Sequence, residues 1–222
     1  MATEPAGKDH RTVIHHPTEP DLWLTDVADT DHFPKEHRDD LRAVATWARE
    51  YLCEPHQDLG RRGPVCPYAQ GSIDRRRFYL TVRPGTPTTV AEIVASMEPY
   101  RSWFAELAPG RRPESLHTAV LVLFPGARDH LALIDAAQRR LKDHYVSSDL
   151  MIGEFHPGPP DKGGLWNPEL RPLAGPVPML VIRHMVPTDL PFLVGDPGHL
   201  AAYRELHGHH VPTRLRDALA EG

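Results

Sequence analysis

The run Thr118 to Phe124 (Thr-Ala-Val-Leu-Val-Leu-Phe) constrains the fold more than any other stretch of the chain. It is apolar throughout, closes at Pro125-Gly126, and reads as a strand buried on both faces. Such a strand needs partners on either side and layers above and below. Pro178 to Met185 is a second run of this kind. Arg77 to Val82 alternates instead: Phe78, Leu80 and Val82 share one side, Arg77, Tyr79 and Thr81 the other, and Pro84-Gly85 ends it. Asp149 to Phe155 sets Leu150, Ile152 and Glu154 against Met151, Gly153 and Phe155, then breaks at His156-Pro157-Gly158.

Helical periodicity fills the gaps. Pro34 to Tyr51 places Leu41, Val44, Ala45, Ala48, Tyr51 and Leu52 on one face, with Pro34 suited to a first helical position. Thr89 and Glu92 form a capping-box pattern opening a helix through Ile93, Val94 and Met97, which is expected to kink or restart at Pro99 before Trp103, Phe104 and Leu107. Asp129 to Tyr145 lines up Leu131, Ile134, Ala137 and Leu141. Short helices are expected near His199–Leu206 and Thr213–Leu219. The order predicts one α/β or α+β domain, a mixed sheet of four or more strands flanked by helices. Residues 1–20 read as a mobile arm and 21–222 as the globular domain.

Composition narrows the function classes. At 222 residues, 40% of them hydrophobic, the chain can build a substantial core, and 24 prolines imply much shaped loop. A net charge of -5 argues against a general nucleic-acid binder. No run approaches the ~18 apolar residues of a membrane span. The first twenty residues lack a signal-peptide core, so a cytoplasmic protein is expected. Two cysteines, Cys53 and Cys66, make no disulfide framework.

The sequence has no G-x-G-x-x-G or Walker loop, no G-x-S-x-G elbow, no H-E-x-x-H and no paired C-x-x-C. What remains is a thiol, several histidines and arginines in loops. Cys66-Pro67 follows Arg61-Arg62-Gly63-Pro64-Val65 and precedes Arg75-Arg76-Arg77. A thiolate there could ligate a metal or a heme iron, with Arg75 or Arg77 pairing heme propionates; it could equally be an ordinary buried cysteine. Cys53 reads as a small core residue. His156 and His184 each follow an apolar strand segment. If those strands are neighbours, both imidazoles could meet at one mouth of the sheet, as axial ligand or distal acid, or with His56 and Cys66 as a non-heme iron or zinc site. Glu154, a carboxylate among apolar strand residues, needs a partner, for which Arg183 is the candidate. Trp166 reads as a loop anchor or a pocket wall.

The order Cys66-Pro67-Tyr68, Arg77-Phe78-Tyr79, Leu123-Phe124-Pro125, Leu165-Trp166 and Pro178-Met179-Leu180-Val181 resembles the YqcI/YcgG-type family over roughly residues 60–190. Here Gly63-Pro64-Val65 stands where that family has Phe-Pro, and Met rather than Phe follows Pro178. The Cys-Pro-Tyr and Gly-Glu-Phe-His-Pro motifs also resemble an actinobacterial-type domain family. The first resemblance implies heme b held by Cys66 and N-hydroxylation of a small amine- or guanidine-bearing metabolite in specialised metabolism. Reductant is then expected from an external electron donor or peroxide. A non-heme metal enzyme and a non-catalytic heme-sensing domain are the alternative expectations.

Overall fold

The computed structural model describes residues 13–164 and 166–216. Six strands form one mixed sheet: β1 (Val13–His15), β2 (Trp23–Asp26), β3 (Phe78–Val82), β4 (Ala119–Leu123), β5 (Leu150–Phe155) and β6 (Met179–His184), in the order β1-β2-β3-β4-β6-β5. Only β3 and β4 run parallel; every other pair is antiparallel. The helices are α1 (Arg38–Trp47), α2 (Ala69–Asp74), α3 (Val90–Leu107), α4 (Pro113–Leu116), α5 (Leu131–Val146) and α6 (Pro197–His207). The single domain and mixed, helix-flanked sheet are those expected from the sequence.

β4 sits in the middle, fully buried along its length, as its unbroken apolar run requires. Its two faces feed two separate cores. Val120 and Val122 join Leu24, Ile152, Leu180 and Ile182 beneath α3 and α5, on what we term the first face. Leu121 and Leu123 join Phe78, Leu80, Val82 and Met179 beneath α1, on the second face. Each fully buried aliphatic side chain contributes roughly 1.5–3 kcal/mol by leaving water. A third cluster, built from Met151, Met185, Leu190, Leu193, Leu200 and Tyr203, docks α6 at the lower end of β5.

Some local expectations change. Val13–His15, read as part of a mobile arm over residues 1–20, pairs with Trp23–Thr25 as the edge strand β1; residues 1–12 of that arm lie outside the described residues. The first helix begins at Arg38 rather than Pro34 and ends in a π-turn over Ala48–Leu52, which swings Leu52 and Cys53 toward the second face. α3 runs unbroken through Pro99, because its buried side chains Ile93, Met97, Tyr100, Trp103 and Phe104 hold it on the sheet. The capping box expected at Thr89 forms: Thr89 Oγ accepts from the Glu92 amide at 3.2 Å, and the Glu92 carboxylate accepts from Thr88 N and Oγ and reaches back to Thr89. The last expected helix is a 3-10 turn over Thr213–Leu215, and residues 217–219 lie outside the described residues.

Candidate functional site

Cys66 is held by a short hairpin. Val65 N donates to Glu54 O at 2.9 Å, Cys66 N donates to Leu52 O at 2.8 Å, and Pro55 bridges Pro64. Extending that pairing by two residues sets Cys53 opposite Cys66. The hairpin turns through Gly60 (φ 72°) and Gly63 (φ 93°), where a residue with a β-carbon is strained. Burial, followed by the charge of neighbouring Cys66, pushes the Cys53 thiol up to about 11. Cys53 therefore stays protonated at neutral pH. Both cysteines are half-buried and pack against the second-face core, as do Tyr51, Val65, Phe155 and Val181.

That part of the second face is incompletely covered. Val181, Gly153 and Phe155 are only half-buried, unlike Leu121 and Leu123 one strand away. A β-carbon added at Gly153 would meet only the Phe155 ring, at 3.5 Å. At the lower end of this strip Arg183 donates to both Asp189 carboxylate oxygens, at 2.5 and 2.7 Å. Burial works against the Arg183 charge, but the Asp189 carboxylate and its hydrogen bonds raise the guanidinium pKa above its ordinary value, and Cys66 and Tyr68 add to the effect. Thus one thiol, one phenol and one paired guanidinium surround a half-covered apolar strip.

The other expected site residues do not gather there. β5 and β6 are antiparallel, with Leu150 opposite His184 and Phe155 opposite Met179. His156 and His184 therefore lie at opposite ends of the ladder, about 20 Å apart at ~3.4 Å per residue, not at one mouth. His156 Nε2 hydrogen-bonds Asp135 on α5 at 3.0 Å. His184 is on the first face, against Phe104, and donates from Nε2 to Ala108 O at 2.9 Å. His56 accepts from the Asp58 amide at its hairpin bend. Among the described residues no group of three or more His, Cys, Asp or Glu could hold a metal ion, so the expected His56/Cys66/His156/His184 set is not assembled.

The expected Glu154–Arg183 pair is likewise excluded by register. Glu154 lies opposite Leu180 and points to the first face, whereas Arg183 points to the second. Glu154, 2% exposed, instead pairs with Lys162, which also reaches Gln138 Oε1 at 3.4 Å. Arg77 turns to Leu107 O and Thr118, and Arg75 donates to Gly71 O within α2, so neither reaches toward Cys66. Trp166 does approach: its Cβ lies 2.4 Å from where a Gly60 β-carbon would be, so its loop rests on the Cys66 hairpin.

A cavity of about 260 Å³ opens at the lower end of the first face, lined by Phe104, Ala108, Arg101, Arg111, Asp149 and His184 among others. His184 is marked in the sequence by its strand, whereas Arg101 and Arg111 sit in stretches with no strand or motif to mark them. Burial holds the pKa of His184 and His207 below the ordinary 6.5, with Arg111 adding to the effect for each, and burial and Arg75 do the same for half-buried His117. In the unfolded chain these imidazoles regain protons first as pH falls. Stability is therefore full above 6.5 and declines below it. The melting temperature is expected to drop between pH 7.5 and 5.5, with a shallower slope for His184→Gln; an unchanged slope would remove His184 from this account.

These features define a single α/β domain with a thiol-bearing strip on one face of its sheet and a cationic cavity on the other. The chain belongs to a family described as a domain of unknown function (DUF6875), whose profile matches residues 41–218. The match begins inside α1, so β1 and β2 precede it, while Cys66, the Arg183–Asp189 pair and the cavity all fall within it. No curated protein and no solved structure matches the chain.

Proposed function

We propose that this chain is a cytoplasmic heme-binding oxygenase in which Cys66 supplies the iron ligand on the half-covered strip of the second face. The observation carrying this reading is a half-buried thiol packed against the same second-face core whose sheet surface, at Gly153, lacks a side chain. A flat apolar group fits such a floor, and Val181, Phe155 and Tyr51 offer it apolar contact. Arg183 lies close enough to Cys66 for the two to interact electrostatically, while Asp189 keeps the guanidinium fixed. Pro67 contributes no N–H beside the sulfur. Arg75 and Arg77 do not fit as propionate partners, and His156 and His184 do not fit as axial ligands, for the reasons of position given above. Of the ligands expected from the sequence, Cys66 is the one that lies against this strip and would hold the iron.

When bound, heme activates peroxide, or dioxygen with two electrons from an external donor, for transfer of one oxygen atom to an amine or guanidine nitrogen, water being the other product. The protein's own part is to hold the thiolate, exclude water with the Trp166 loop and Tyr51, and orient a small substrate against the strip. The motif order from Cys66-Pro67-Tyr68 to Pro178-Met179 supports the same reading through its family resemblance. Titration of purified protein with hemin tests it. The parent chain is expected to give a saturable Soret band of thiolate type, and Cys66→Ala to weaken binding by about tenfold or more, as loss of a coordinate bond requires. Absence of a Soret shift in the parent chain, or an unchanged one in Cys66→Ala, would sink the proposal.

A further inference from the structure

The cavity on the first face carries a second inference, independent of the heme reading because His184 and Arg183 project to opposite sides of β6. One wall is apolar, made by Phe104, Ala108 and Leu150. The other brings Arg101, Arg111 and His184 together. Two of them keep a buried nitrogen without a protein partner, Arg101 Nε and Arg111 Nη1, while the His184 ring also meets the Asp149 backbone. Their remaining contacts are defined. Arg101 pairs loosely with the exposed Glu98 at 3.5 Å, and Arg111 Nη2 donates to Met185 O at 3.0 Å and lies 3.5 Å from His207 Nε2. His184 is 7% exposed and anchored through Nε2.

Buried polar nitrogens almost always find a partner, and leaving one unmatched is costly. Two of them, both on guanidinium groups of residues lining one 260 Å³ cavity, are not explained by packing alone. The opposing charge at the cavity is Asp149, which is exposed, so the positive groups dominate its inner wall. The volume falls below the ~300 Å³ of pockets for drug-sized ligands, which fits a small metabolite and excludes a porphyrin. We propose that this cavity binds a small monocarboxylate, its carboxylate held by Arg111 and Arg101 and its short apolar tail lying against Phe104 and Leu150.

Calorimetric titration of the full chain with butyrate tests this, with butyramide as the neutral isostere. Butyrate is expected to bind saturably and butyramide at least about tenfold more weakly, since charge-assisted hydrogen bonds are lost. Arg111→Gln is expected to weaken butyrate by about tenfold to a hundredfold. Because Arg111 also holds the Met185 carbonyl, a second variant is needed in case that one misfolds. Ala105→Phe fills the mouth from an exposed position of α3, touches none of the polar contacts, and is expected to abolish binding. Norvaline in place of butyrate reads the part of Asp149: tighter binding extends the carboxylate site to α-amino acids. The proposal is overturned if butyramide binds as well as butyrate, if Ala105→Phe leaves binding intact, or if butyrate and norvaline both fail to bind the parent chain. None of these outcomes bears on hemin binding at Cys66.

Discussion

An Asp189→Ala variant is expected to melt about 10 °C below the parent chain. Asp189 is 2% exposed and receives both Arg183 nitrogens and the Val186 amide at 2.8 Å. Removing it strands a largely buried guanidinium and an amide at once. Breaking one side of a buried pair costs roughly 3–5 kcal/mol, and about 2–4 °C of melting temperature follows each kcal/mol in a chain of this size. Because the Arg183 side chain remains 26% exposed, the lower half of that range applies. The double variant Arg183→Met with Asp189→Leu removes both charges and is expected to recover most of the loss, since apolar replacement of a buried pair is often near neutral. Scanning calorimetry of the two variants checks this. A single variant as stable as the parent would mean that Arg183 finds water or another acceptor.

Gly60→Ala is expected to destabilise the chain by about 2–5 kcal/mol and to weaken hemin binding with it. Two penalties add. A β-carbon at φ 72° costs about 1–2 kcal/mol, and overpacking costs about 1–3 kcal/mol more. The overpacking arises because that β-carbon would lie 2.4 Å from Trp166 Cβ, close to backbone that cannot swing aside. Gly85→Ala is the matched control: its φ is 88°, but nothing lies within 4 Å of the added atom, so only the first penalty applies. Denaturant unfolding of both variants separates the two. Equal losses would show that the Trp166 loop gives way and does not brace the Cys66 hairpin.

The elements legible in the sequence were those with strong periodicity. β3, β4, β6 and α5 emerge within a residue or two of their expected bounds, because an apolar run or a helical stripe is a direct record of what that segment buries. β1 and β2 were not legible. Three and four residues carry too little alternation to register, and they are strands only because β3 offers a paired edge. α3 overrides its Pro99 for the same kind of reason, tertiary burial outweighing one missing hydrogen bond.

The candidate site was legible only in part. The chemistry of Cys66 and the need of Glu154 for a cation follow from residue type and pattern alone. Their partners do not. Whether Glu154 meets Arg183 depends on the parity of one strand against the next, and a shift of one residue would have reversed the answer. Whether His156 and His184 share a mouth depends on strand direction, which periodicity does not encode. Sequence by itself thus determined the layers and the central buried strand, since these are local records of burial and composition. Only the tertiary structure decided that Lys162, not Arg183, neutralises Glu154, that Asp189 holds Arg183 near Cys66, and that Arg101 and Arg111 converge on His184 across a cavity. Each of these contacts joins segments whose separation along the chain carries no energy until register and topology bring them within a few ångströms, where Coulomb and hydrogen-bond forces act.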